Sequence, residues 1–294
     1  MSKLGCLVWR YLFESGDKKR LAKQVQDLSD LHIVKDVPYL PDSEQGHLLD
    51  IYELPDLPDD APVMVNIHGG GLFASYKEVN ANFNYEWARL GYRTVSISYR
   101  RIPETTMWHQ VDDVMAAMRY LADHAQEHHL NLDRCYLTGD SASALLSLFV
   151  LALTGSAELR HAFGIAETGL SFRAGGLVSI MLDTQRRDLM RAISNVVTSK
   201  DDAGKPYEQY LLDPSLLVAA PLPPLYLVTS AEDLIQKDTL KLDGLLTAAG
   251  KEHELLNFGK GEERQLIHVF SVSYPMYPES REVFGKIDAF FKSR

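Results

Sequence analysis

From about residue 62 onward, short runs rich in β-branched residues alternate with helix-length amphipathic segments, and this alternation restricts the possible folds more than any other feature. The runs are "PVMVNI" at 62–67, "RTVSIS" at 93–98, "RCYLT" at 134–138, "GLVSIM" at 176–181, "PLYLVT" at 224–229 and "ELLNF" at 254–258. They have no polar alternate side, as expected of parallel strands covered by helices on both faces. Helices are expected at 79–90, 109–129, 142–154, 235–249 and 279–292. Ahead of them "HIVKDVPYL" and "HLLDIYEL", separated by "PDSEQG", read as an antiparallel pair. Residues 7–30 read as one or two amphipathic helices from Leu7, Val8, Tyr11, Leu12, Leu21, Val25 and Leu28. The fold class that follows is α/β: an opening antiparallel pair feeding a mostly parallel, doubly wound sheet. One domain over 1–294 is expected, with a small helical cap drawn from about 1–30 and from an insertion at 183–220.

Bulk properties exclude other classes. A formal charge of −10 with no long Lys/Arg run argues against nucleic acid and against an anionic membrane surface. No apolar run reaches the roughly 18 residues needed to span a bilayer. Only five residues precede Cys6, and Arg10 interrupts the run after it, so "MSKLGCLVWRYLF" does not read as a secretion signal. Cys6 and Cys135 stand far apart without metal-ligand spacing, the usage of a reducing cytoplasm.

Ligand sites of doubly wound sheets lie beyond the carboxyl ends of the strands, and the chemistry-bearing motifs fall there. "LTGDSASAL" at 137–145 follows a strand and opens an apolar helix. Gly139, Asp140, Ser141 and Ala142 fit the nucleophile elbow G-x-S-x-G, whereas Ser143 stands where the second glycine belongs and adds bulk at a close approach. Ser141 is thus a candidate nucleophile, with an ordinary small-residue turn as the alternative. "NIHGGGLF" at 66–73 follows the strand at 62–67, and its three glycines leave backbone N–H groups unshielded for an oxyanion. A phosphate cradle is disfavoured because neither a Lys-Ser/Thr nor G-x-G-x-x-G follows. His124, His128 and His129 in "DHAQEHHL" lack the carboxylate of a zinc helix and read as a solvated helix end.

His68-Gly69-Gly70-Gly71, "SYRRIPE" at 98–104, "VDDVMAAMRYL" at 111–121 and "TGDSAS" resemble, in order and spacing, the α/β-hydrolase fold esterases of the hormone-sensitive lipase group. The likeness runs from about residue 33 to the C-terminus. It implies a carboxylic-ester hydrolase with oxyanion donors from the backbone of Gly70, Gly71 and Ala142. In that fold the acid and the histidine follow the serine in chain order. Asp233, just past the strand at 224–229, is the expected acid, with Glu232 and Asp183 as alternatives; His268, between the final strand and final helix, is the expected base. His68, Glu104 and Asp140 are expected to support the site, and Leu72, Phe73, Trp108 and Tyr207 to line it.

The expected partner is a small-molecule ester of short to medium acyl chain. No cofactor, metal, nucleic acid or membrane insertion is called for, and a homodimer stays open. Three rivals remain at this level: a hydrolase-fold binding protein that has lost turnover, an amide hydrolase such as an arylformamidase, and a peptidase.

Overall fold

The computed structural model describes residues 3–42, 44–185 and 197–294. Helix α1 (Lys3–Leu21) precedes the strand pair β1 (His32–Pro38) and β2 (Leu48–Glu53). Then come β3 (Val63–Ile67), α2 (Ala81–Arg89), β4 (Arg93–Ile97), α3 (Met107–Asp123), β5 (Cys135–Asp140), α4 (Ala142–Gly155) and α5 (Ala157–Phe163). The remainder is β6 (Ala174–Val178), α6 (Glu208–Leu212), β7 (Leu225–Ser230), α7 (Gln236–Ala248), β8 (His253–Phe258), α8 (Phe270–Ser273) and α9 (Pro278–Lys292). The strands form one sheet in the order β1-β2-β4-β3-β5-β6-β7-β8. β2 pairs antiparallel with both β1 and β4, and every later pairing is parallel. This is the α/β-hydrolase arrangement.

Both faces are covered, which is why the strands read as unbroken apolar runs. α2 and α9 bury Phe83, Trp87, Phe284 and Phe291 against one face. α3, α4 and α7 bury Val111, Met115, Leu145, Leu148 and Leu242 on the other. The chain runs from β3 outward to β4 and then returns to β5 on the opposite side of β3. That reversal opens a crevice at the carboxyl ends of β3 and β5, the place where open α/β sheets bind ligands. The triple-glycine loop follows β3 and Ser141 follows β5, so topology alone brings the two motifs together.

Element boundaries differ from expectation where side chains redirect the backbone. The N-terminal segment is one helix that ends at Leu21. Beyond it, Gln24 Nε2 donates to Ser273 O and the Gln24 carbonyl accepts from Asn82, and an Asp27 turn bonds Ser29 N. α3 stops at Asp123 because the next residues fold into turns that place His129 in the left-handed region. β6 lies earlier than its apolar run. Gly175 and Gly176 belong to the strand, a Cβ on Gly175 would stand 2.6 Å from Leu151 Cδ1, and Ser179 ends the ladder with a φ of 53°. Of the expected cap insertion, 186–196 lie outside the described residues. Its later part forms α6 and a 3-10 segment, Pro214–Ala219, with Thr184 Oγ1 donating to the carbonyls of Leu211 and Leu212. Among the described residues no single helix is long and apolar enough to cross a membrane.

Candidate active site

Ser141 sits between the last residue of β5 and the first of α4 with φ 56° and ψ −121°. A non-glycine residue there is strained, and persists only when its surroundings over-determine it. They do so here. Ser141 N donates to Val178 O at 2.9 Å, and Ser141 O accepts from Met181 N at 3.1 Å, so the end of β6 grips both sides of the peptide. Gly139 permits the tight turn, since a Cβ there would stand 2.3 Å from Ser147 Oγ.

Ser143 is accommodated by bonding rather than by space. Its hydroxyl lies 2.7 Å from Ile67 O and 2.8 Å from Asp140 O, and accepts from Asp140 N at 3.1 Å. It is fully buried. The side chain that weakened the sequence motif therefore ties the elbow to the end of β3.

The histidine arrives on a loop held from β7. Glu232 Oε2 accepts from Gly261 N and Leu266 N at 3.1 and 2.8 Å, and Ser230 Oγ donates to Leu266 O. His268 Nε2 then lies 2.8 Å from Ser141 Oγ, and its Nδ1 2.8 Å from Asp233 Oδ1. An ionised carboxylate only accepts, so Nδ1 carries the proton and the Nε2 lone pair faces the serine hydroxyl. Burial alone would raise the Asp233 pKa. Hydrogen bonds from His268, Ser179 and Ile235 N outweigh it and hold the carboxyl below its ordinary range. Ser179, which sequence reading missed, also accepts from Val269 N at 3.3 Å and so braces acid and histidine loops together.

Opposite the serine, Gly70 and Gly71 have φ of 125° and 62°. A Cβ at Gly70 would stand 2.2 Å from Ala74 O, and one at Gly71 2.7 Å from Phe73 Cε1. Neither amide has an acceptor among the described residues. Ala142 opens α4, where a helix amide has no intrahelical partner. Gly70 and Gly71 face a cavity of about 190 Å³ whose walls also include Ser141, His268, Met181 and Leu234.

A buried polar network fixes the loop. Asp140 Oδ1 accepts from Gly69 N at 3.0 Å and Asn80 Nδ2 at 2.7 Å, and burial pushes its pKa up to about 6. His68 stacks on Tyr99 at 4.5 Å with Nδ1 2.7 Å from Gly69 O; burial pushes its pKa down to about 4. The outer clamp comes from α1. Arg10, buried, donates from Nε to Phe73 O at 2.6 Å, from Nη2 to Ile102 O at 2.7 Å, and pairs with Glu104 at 2.5 Å. Glu14 accepts from Ser75 N and Asp17 from Ser75 Oγ, at 3.1 and 3.2 Å. The sequence signal for Arg10 was the charge interrupting an apolar run.

With this geometry in view, relatives decide the lineage. The family model BD-FAE matches residues 49–233, from β2 to the aspartate beside His268. The chain belongs to the BD-FAE family. This is a family of α/β-hydrolase esterases, homologous to carboxylesterases of the hormone-sensitive lipase type. Carboxylesterase NlhH of Mycobacterium tuberculosis is 26% identical over 247 residues, 80% of this chain and 75% of that protein. Esterase LipQ of the same organism is 29% identical over 142 residues; the match takes in 47% of this chain but only 34% of LipQ. The crystal structure of Esterase B from Lactobacillus Rhamnosis superposes with a TM-score of 0.91 at 24% identity, covering 99% of this chain and 94% of that one, a likeness of fold.

Leu72 and Phe73 do not line the cavity. Leu72 is buried with φ 70° and its carbonyl accepts from Ile102 N and Gln110 Nε2, while the Phe73 ring packs edge-on against Phe13 at 5.4 Å. Trp108 and Tyr207 pack with tilted rings at 5.6 Å, Tyr207 also packs on Phe163, and neither Trp108 nor Tyr207 walls the cavity at Ser141. Asp183 is exposed and its amide bonds Asp238; it is not beside His268. Glu104 supports the site through Arg10. Among the described residues the cavity's cover is α1, through Phe13, Asp17 and Arg20, and 197–220 contributes no wall. His124 stacks on Tyr120, His128 bonds its hydroxyl, and His129 pairs with Asp59, so none gathers a metal site. His47 lies within ligand distance of Asp42 and Glu44, but its ring is already shared between Asp42 and Asp113.

Proposed function

We propose that the chain is a serine carboxylesterase that cleaves esters of short to medium acyl chain through an acyl-enzyme, with an optimum near four carbons. His268 takes the Ser141 proton as Oγ attacks the ester carbonyl. Asp233 keeps the ring oriented and stabilises the imidazolium. The amides of Gly70, Gly71 and Ala142 receive the oxyanion; as it collapses the imidazolium gives its proton to the departing alcohol, leaving the acyl-enzyme, and water deprotonated by His268 then frees the acid as Ser141 regains its proton. The observation that carries this reading is the unbroken Asp233–His268–Ser141 hydrogen-bond chain, 2.8 Å at each step, ending at a cavity walled by two unpaired amides.

The modest size of the cavity beside Ser141, about 190 Å³, favours a short acyl chain. A C4-C4 tributyrin phosphonate is the inhibitor in a structure of Esterase B, which supports the same range. A p-nitrophenyl ester series with one to twelve acyl carbons tests the reading, together with fluorophosphonate labelling. Hydrolysis should peak near butyrate and the label should map to Ser141. Ser141→Ala should lose about 10³-fold or more in turnover. Labelling elsewhere, or an unchanged rate in the variant, would overturn it.

A further inference from the structure

α1 is built with its polarity reversed. Its inner side carries Arg10, Glu14, Asp17 and Arg20, all bonded to the loops around the site. Away from that side stand Val8, Trp9, Tyr11 and Leu12, each 45–71% exposed, flanked by Leu7 at 44% and Phe13 at 36%. These six account for nearly half of the thirteen large apolar side chains exposed among the described residues. Contiguous exposed apolar surface on a folded protein marks a binding face. At 100° per residue, Val8, Leu12 and Lys19 share one outward line, with Tyr11 and Lys18 beside it. An apolar stripe with aromatic residues and a basic end is the pattern of a helix lying in a lipid–water interface.

Position identifies the occupant. Phe13 is at once part of the exposed patch and a wall of the catalytic cavity. Leu234, 62% exposed, also walls the cavity, and Ile267, 41% exposed, precedes His268. The apolar surface thus runs from α1 around the cavity mouth. A protein partner seated on it would close the entrance, whereas a lipid surface would deliver ester through it.

We infer that the outer face of α1, with Leu234 and Ile267, docks on a lipid–water interface, and that the working substrates are sparingly soluble esters presented there. This rests on the esterase reading and narrows its substrate class. The experiment measures hydrolysis of dissolved p-nitrophenyl acetate and of tributyrin below and above its solubility limit, and flotation of the protein with tributyrin droplets. The wild-type rate on tributyrin should rise steeply once droplets form, and the protein should float. Val8→Asp/Leu12→Asp should lose droplet binding and about tenfold or more of the dispersed-phase rate, with the p-nitrophenyl acetate rate, which reports folding, within about twofold of wild type. A variant that still floats and keeps its dispersed-phase rate would overturn the inference. So would a wild-type dimer in sedimentation that the variant dissolves, because the face would then be a protein contact. No turnover of p-nitrophenyl acetate by wild type would remove the esterase reading instead, and flotation would still decide the surface.

Discussion

The two sides of the catalytic cleft are assembled differently. The acid–base side is assembled mostly from neighbours: Asp233 and His268 are braced by Ser230, Glu232 and the amides of 261–269 near the ends of β7 and β8, with Ser179 after β6 added to them. The oxyanion side is assembled from a distance. Its loop is held by Asp140 after β5, by Asn80, and by Arg10 on a helix more than sixty residues upstream in sequence. The difference teaches that, on the proposed mechanism, one side rests on the few side chains that carry the reaction, while the other rests on groups that hold a backbone loop in place.

Substitutions sharpen this contrast. The largest effect should come from the acid–base side: His268→Ala should cost about 10³-fold or more in kcat on p-nitrophenyl butyrate with little change in KM. Comparable loss from an oxyanion-side support would break the contrast.

Next is a stability effect confined to the other side. His68 has an unfolded pKa of 6.5 and about 4 when folded, so it favours folding above 6.5 and that stability is lost as pH falls toward 4. Asp140 moves from 3.8 to about 6, so its contribution is fully present below 3.8 and is lost as pH rises to 6. Each spans about 3 kcal/mol, and between pH 4 and 6 they offset. Asp140→Asn, which keeps the shape, should expose the histidine: urea unfolding should weaken by up to about 3 kcal/mol more than wild type between pH 6.5 and 4. Parallel curves would refute the pairing.

Arg10→Met should lower kcat about tenfold, with KM nearly constant and a small drop in Tm, because the carbonyls of Phe73 and Ile102 lose their donor. An effect on KM alone would make Arg10 a cover residue rather than a clamp. The smallest change is expected at the seam between the two sides. Ser143→Ala should cost about 1–2 kcal/mol in unfolding free energy while retaining most of the turnover.

What was legible in the sequence follows the same division. The mostly parallel sheet with its opening antiparallel pair could be read from the apolar runs, and the serine, aspartate and histidine were candidates because each sits just after such a run, where the carboxyl ends of parallel strands converge. The oxyanion loop could be found from its glycines, but Leu72 and Phe73, adjacent in sequence, turn into the core. Adjacency does not tell which way a left-handed residue points. Arg10 and Ser179 were illegible as supports because their meaning depends on partners brought near only by folding. Ser143 was read as a defect for the same reason: its acceptor, the Ile67 carbonyl, belongs to another strand.

That hydroxyl has a mechanical consequence. One buried oxygen joins the turn at Ser141 to the end of the strand that leads into the glycine loop, so displacing either one strains a hydrogen bond held in common with the other.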